Sequence, residues 1–167
     1  MKRLAATLAL VCLALAGPAH AQRRGATNEI ESGTTTNMVC TNLSQAEFQQ
    51  MAEQLFGRIF TDEAFIEVAG DTRPSVVIGD VVNDSHSYLM ETDVMFNSLR
   101  NVIVASRAVR LFAPGADADI TIASQLTSTY LRGDRGATQS NFTLNVTLTR
   151  LNGEYLGAWD VNRAFRC

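Results

Sequence analysis

Catalysis needs side chains that attack, pass a proton or hold a metal, and this chain has few of them. Its histidines are His20 and His86, and His20 falls in an opening stretch that reads as a removable leader. A serine nucleophile with a histidine base would have to use His86, and the G-x-S-x-G elbow that exposes such a serine is absent. A lone loop histidine is expected to be solvated rather than catalytic. Lys2 is the only lysine, so once the leader is gone neither Schiff-base chemistry nor the phosphate-gripping lysine of a P-loop has a residue to use. Cys40 and Cys167 lie at opposite ends of the exported chain, unlike the close C-x-x-C spacing of a redox or zinc site.

The carboxylates fall in pairs. Asp80 and Asp84 bracket the end of a predicted strand, Glu91 and Asp93 open a predicted helix, and Asp117 and Asp119 precede another strand. Two of them converging in a cleft would make a glycosidase-like hydrolase. The plainer expectation is that acids at a helix start complement its positive dipole end and that acids in loops are solvated. A calcium site from Asp117, Asp119 and loop carbonyls would lack the D-x-[DN]-x-[DN]-G spacing. These residues imply no cofactor, no metal and no catalytic set.

The elements that position these residues follow from periodicity. Lys2 and Arg3 precede an apolar run from Leu4 to Gly17, and Ala19, His20 and Ala21 form a small-x-small cleavage pattern, so residues 1–21 are predicted to be a signal peptide and Gln22 the mature N-terminus. Removing Lys2 and Arg3 leaves 12 basic residues against 17 acidic ones, a net charge of −5 that disfavours a nucleic-acid partner. Leu10 and Val11 directly precede Cys12, a poor lipidation context, and no second apolar run reaches the length of about 20 residues that spans a membrane, so no stable membrane anchor is expected. Residues 22–42, rich in Arg, Gly, Ser, Thr and Asn, read as a flexible segment, and residues 43–167 as the globular domain.

Ser44 with Glu47 is a capping box, followed by Phe48, Met51, Ala52, Leu55, Phe56, Ile59 and Phe60 at helical spacing. This predicts a helix from Gln45 to about Phe60. Ser75 to Val82 predicts a strand ended by the loop Asn83, Asp84, Ser85. Thr92 is read as the N-cap of a second helix with Met95, Phe96, Leu99, Val102 and Ile103 on one face, and Ala108 to Phe112 as a short strand. Alternation then predicts three strands, around Ile120–Tyr130, Phe142–Leu148 and Trp159–Phe165. Residues 132–136 and Asn152-Gly153 supply their turns. The fold class is α+β: a mostly antiparallel four- to five-stranded sheet flanked by helices, ending in a three-strand meander. Tyr88 lies off the helical stripe near His86 and is read as an exposed aromatic, the kind of residue that contacts a partner.

In order, these segments resemble the LpoB family of penicillin-binding protein activators. LSQAEFQQMAEQLFGRIF is similar to the helix that opens that family's globular domain, and RPSVVIGDVVNDS to its strand R-P-x-[IV]-x-[IV]-G-x-[IV]-x-N-x-[ST]. LMETDVMFNSLRNVIVAS has Glu91-Thr92 where the family usually has Asp-Thr. ADITIASQL resembles the next strand, with Ser124 in place of a Gly, and FTLNVTLTRLNGEYLGAW the final hairpin. The resemblance spans Leu43 to Phe165 and implies a fold like the N-terminal domain of TolB. It also implies a non-catalytic periplasmic protein that binds a peptidoglycan synthase, a class A penicillin-binding protein, and stimulates glycan polymerisation and crosslinking. The typical member is an outer-membrane lipoprotein on a long Pro- and Gln-rich tether. Here the flexible stretch of about 20 residues would reach at most roughly 70 Å. The alternatives are a soluble accessory subunit of an outer-membrane assembly or secretion complex and, from another class, a hydrolase with an acidic pair. For the activator reading the expected contacts are His86 and Tyr88, with Arg132 and Arg135 of the hairpin, all off the apolar stripes that the core consumes.

Two cysteines in an oxidising compartment predict a Cys40–Cys167 disulfide, and Cys167 shares the alternating face of Trp159, Val161 and Phe165. Closing a loop of this length is worth roughly 4 to 5 kcal/mol in the chain-entropy model. Thiol titration of the unfolded, unreduced mature protein is expected to find none; two reactive thiols per chain refute the bridge.

Overall fold

A computed structural model describes residues 29–31, 42–70, 72–132 and 138–166. The order of elements is β1 (Glu29–Glu31), α1 (Gln45–Ile59), α2 (Glu63–Ala69), β2 (Ser75–Asp84), α3 (Thr92–Ser106), β3 (Arg110–Phe112), β4 (Ile120–Arg132), β5 (Thr138–Arg150) and β6 (Tyr155–Arg166). The strands form one sheet in the order β1-β6-β5-β4-β2-β3. β4, β5 and β6 are the antiparallel meander expected from alternation. β2 joins β4 in parallel, and the short β3 and β1 add parallel edges to β2 and β6. The sheet is therefore mixed, and its long ladders are the antiparallel ones.

Three features go beyond the sequence reading. β1 falls within the segment read as flexible. The seven-residue α2 starts at Asp62, whose side chain accepts the Ala64 N–H and also the indole N–H of Trp159 at 3.0 Å. Helix α3 corrects the N-cap reading: Glu91 holds that position, with no side-chain cap bond, and Thr92 is already helical. The helix stops at Arg107, whose φ of 56° is left-handed, and the Ser106 hydroxyl takes the Ala108 N–H, so β3 begins only at Arg110.

All three helices lie on one sheet face, α1 and α2 on β6 and α3 on β2 and β3, with α1 against α3. Phe48, Met51, Leu55, Phe56 and Ile59 of α1 meet Met95, Leu99 and Ile103 of α3 over Ile120, Ile122, Leu126, Phe142, Leu144 and Val146. Burying each such side chain contributes about 1.5–3 kcal/mol, so this interface drives folding. Two arginines fasten α1 to β6: Arg58 donates to the Asp160 carbonyl at 3.0 Å, and the buried Arg163 donates to Gln50 Oε1 at 2.8 Å, with Glu47 3.9 Å away. A Cβ at Gly157 would run into the Trp159 ring, so any larger residue there forces the indole to shift from its bond to Asp62. The opposite face carries Thr127, Thr143, Asn145 and Thr147, small polar side chains that need no covering layer.

Cys40, Cys167 and residues 1–28 lie outside the described residues, as does the proposed disulfide. Leu43 and Phe165, near them in sequence, both lie at the His86 end of the sheet: Leu43 bonds to Ser87, and Phe165 packs on Phe142, against which His86 also rests. No helix among the described residues is long and apolar enough to cross a membrane.

At the other end, Asp119 locks β2 to β4. Its carboxylate accepts the Ser75 N–H at 2.8 Å and hydroxyl at 2.6 Å, while the Asp119 N–H donates to Ser75 Oγ at 2.9 Å. The Ser75 hydroxyl above all, then the Ser75 N–H and the positive charge of Arg110, hold the Asp119 carboxyl below its ordinary value. A depressed carboxyl pKa stabilises the fold above the unfolded-state value of about 4, and that contribution is lost as pH falls through the lower folded value. Asp119→Asn is expected to lower Tm by a few degrees at pH 7, and the gap to the wild type should narrow as both are acidified below the ordinary carboxyl value of about 4. Thermal melts across pH check this; a gap independent of pH refutes it.

Candidate functional site

The site grows from one irregularity in β2. Ile78 pairs with Ile122, but the next registered pair is Val81 with Ser124, so β2 holds one residue more than β4 there. Gly79 suits this bulge, since a Cβ would lie 2.8 Å from Thr121 Cγ2. The extra residue reverses the alternation. Val76 and Ile78 face the helices before it, and Val81 and Asn83 face them after it, opposite Ser124 and Leu126.

Asn83 is thereby aimed inward, where its amide organises the loop from Ser85 to Met90. Its Nδ2 donates to the carbonyls of Met90 at 2.5 Å and Ser87 at 3.3 Å, and its Oδ1 accepts the Ser85 N–H and hydroxyl at 2.9 and 2.6 Å. The buried Ser87 hydroxyl accepts the Leu43 N–H at 3.1 Å, tying the loop to the start of α1. The loop's third attachment is to β4: Ser128 Oγ accepts the His86 N–H at 2.9 Å and lies 2.5 Å from His86 Nδ1. The imidazole then rests 4.9 Å from the Phe142 ring and meets Tyr130 edge-on at 6.0 Å. Met90 is buried as the loop's apolar foot, whereas Tyr88 is 77% and Leu89 53% exposed. Backbone held from three sides thus thrusts two large side chains into water.

Ser128 and His86 are a serine and a histidine in contact, and the pair acts as a latch. The hydroxyl oxygen already accepts an amide hydrogen, and among the described residues no carboxylate bonds to the ring to orient it as a base. The four acids of the hydrolase alternative are all exposed rather than buried in a cleft, and Asp84 accepts from Gln125 at 2.5 Å. Asp119 is committed to Ser75, and no three His, Cys, Asp or Glu side chains gather as a metal-ligand set among the described residues. An open depression of about 600 Å³ at the far end is lined by Val68, Pro74, Asp119, Arg150 and Leu151, with Arg150 paired to Glu154 at 2.7 Å.

Of the contact residues read from sequence, His86 and Tyr88 share the loop, with His86 turned onto the sheet and Tyr88 turned away from it. Arg132 ends β4 opposite Thr138, two positions beyond Tyr130, and Arg135 lies outside the described residues. Sequence reasoning passed over Leu89, Tyr130 and Asn83. The signal for Asn83 was its place in the segment RPSVVIGDVVNDS, four residues after the glycine.

No protein-family model matches this chain, and no curated protein matches it. Among the solved structures similar to this chain are two LpoB domains. The LpoB C-terminal domain from Salmonella enterica is 12% identical over 70% of this chain and 97% of that one, with a TM-score of 0.49. The LpoB C-terminal domain from Escherichia coli is 10% identical over the same shares, with a TM-score of 0.48. Likenesses of this size assign no residue a role.

Replacing Asn83 by Ala removes four loop hydrogen bonds and takes the amide donor from the Met90 carbonyl, at a cost of about 2–3 kcal/mol. Hydrogen exchange of the amides at 85–90 should accelerate far more than that of β5; unchanged exchange there refutes the organising role.

Proposed function

We propose that this protein is a non-enzymatic periplasmic regulator that binds a class A penicillin-binding protein and stimulates its peptidoglycan synthesis, with the exposed loop after β2 as its docking surface. The observation that carries the reading is the immobilised loop, which presents Tyr88 and Leu89 to solvent. A side chain exposed on a fixed backbone loses little conformational freedom on binding, and aromatic anchors of this kind dominate protein interfaces. The loop lies between the segments RPSVVIGDVVNDS and LMETDVMFNSLRNVIVAS, whose resemblance to the activator family supports the choice of partner. In this reading residues 1–21 are the cleaved leader, 22–42 a short flexible segment, and 43–167 the working domain. Without a lipid anchor the protein meets its synthase by diffusion, so moderate affinity suffices.

Glycan polymerisation by the synthase of the same organism, with and without purified mature protein, tests this. Stimulation is expected, and Tyr88→Ala should weaken binding by more than about 1 kcal/mol while leaving the melting temperature nearly unchanged. No stimulation and no complex at tens of micromolar, about −6 kcal/mol of binding, defeats the proposal and favours the assembly-complex subunit.

A further inference from the structure

We infer that the partner surface received by this loop is basic around an apolar recess, so that the complex is steered and selected by charge. This rests on the docking surface proposed above and adds the chemistry of what it fits. Between Arg73 and Arg100 the chain has no arginine or lysine, yet it carries Asp80, Asp84, Glu91 and Asp93. All four are exposed, and they flank Tyr88 and Leu89 on both sides in the chain. Among the described residues none of them forms an ion pair. Asp84 is met by the uncharged Gln125 amide, and Glu91 makes no side-chain cap bond. On α1, Glu47 lies in the capping box beside Arg163, a buried guanidinium whose donor goes to Gln50. The basic residue continuing the neighbouring strand is Arg132, beyond Tyr130 on the hairpin side.

The result is two fixed apolar projections with exposed acids at both ends of their loop, Asp84 where β2 ends and Glu91 and Asp93 where α3 begins. Burying Tyr88 and Leu89 against an acidic partner would press like charges together in a half-desolvated interface and weaken the complex. A second copy of this loop carries the same four acids, so the same repulsion discourages self-association through it. A partner with arginine or lysine around an apolar pocket meets both features, and its capture is accelerated at low salt because rim charges act mainly on the association rate.

The experiment measures the affinity and association rate of the full mature protein for the class A synthase at 50, 150 and 300 mM NaCl. The dissociation constant is expected to rise at least about fivefold across that range, through slower association. The double variant Glu91→Gln/Asp93→Asn should weaken binding at least about threefold at 50 mM, with the deficit shrinking at 300 mM. A control pair on α2 at the far end of the molecule, Glu63→Gln/Glu67→Gln, should change nothing, and thermal melts verify that both variants fold. A complex that ignores salt and the loop acids, that tightens when they are neutralised, or that responds equally to the α2 pair overturns the basic partner surface while leaving the regulator reading intact. No complex with the synthase defeats the regulator reading, and this inference with it.

Discussion

One extra residue in β2 governs the functional end of this molecule. A strand presents alternate residues to opposite faces, so a single insertion exchanges every later position. The bulge at Gly79-Asp80 turns Asn83 toward the helices. An uninterrupted strand would instead turn Val82 and Asp84 that way, an apolar group and a charge, neither able to replace the amide. Asn83 offers donor and acceptor together, so it bonds two carbonyls and a serine as a short strand would. Its worth lies chiefly in the Met90 carbonyl, since an orphaned buried carbonyl costs about 1–3 kcal/mol.

The rest of the structure makes that arrangement rigid. β4 supplies Ser128, the residue before the α1 cap supplies the Leu43 N–H, and β5 supplies Phe142 as the floor beneath His86. These three reach the loop only because α1 is strapped to β6 by Arg163 and Arg58 and because β4 and β5 pair along their full length. The far end of the sheet is closed differently, by the reciprocal Asp119–Ser75 bonds between the starts of β2 and β4. A strand pinned at both ends can carry a bulge in its middle without fraying.

Much of the architecture was legible because its signals are local. The capping box of Ser44 and Glu47 is formed as read, and the stripes of α1 and α3 are buried except for Phe60 and Phe96, which are partly buried at the edge of the core. The alternation of Ile120, Ile122, Phe142, Leu144 and Val146 places them all inside, and Asn152-Gly153 makes the last hairpin, with Gly153 at a φ of 85°. Tyr88 stands exposed where its place off the helical stripe suggested. Helix α2 escaped notice because seven residues carry too short a pattern, and its start depends on Asp62, which also serves a tryptophan nearly a hundred residues away.

Composition and periodicity alone settled the α+β class, the meander, the inward faces and the scarcity of catalytic side chains, because each follows from residue type and spacing along one segment. The parallel entry of β2 beside β4 and the edge strands β1 and β3 were decided by tertiary structure, since pairing joins backbones whose sequences carry no mark of their neighbour. The same holds for the site. In the sequence His86 is a lone histidine and Ser128 one serine among many; only the folded sheet brings them within 2.5 Å, and only the bulge decides that Asn83 faces inward to hold the loop beside them.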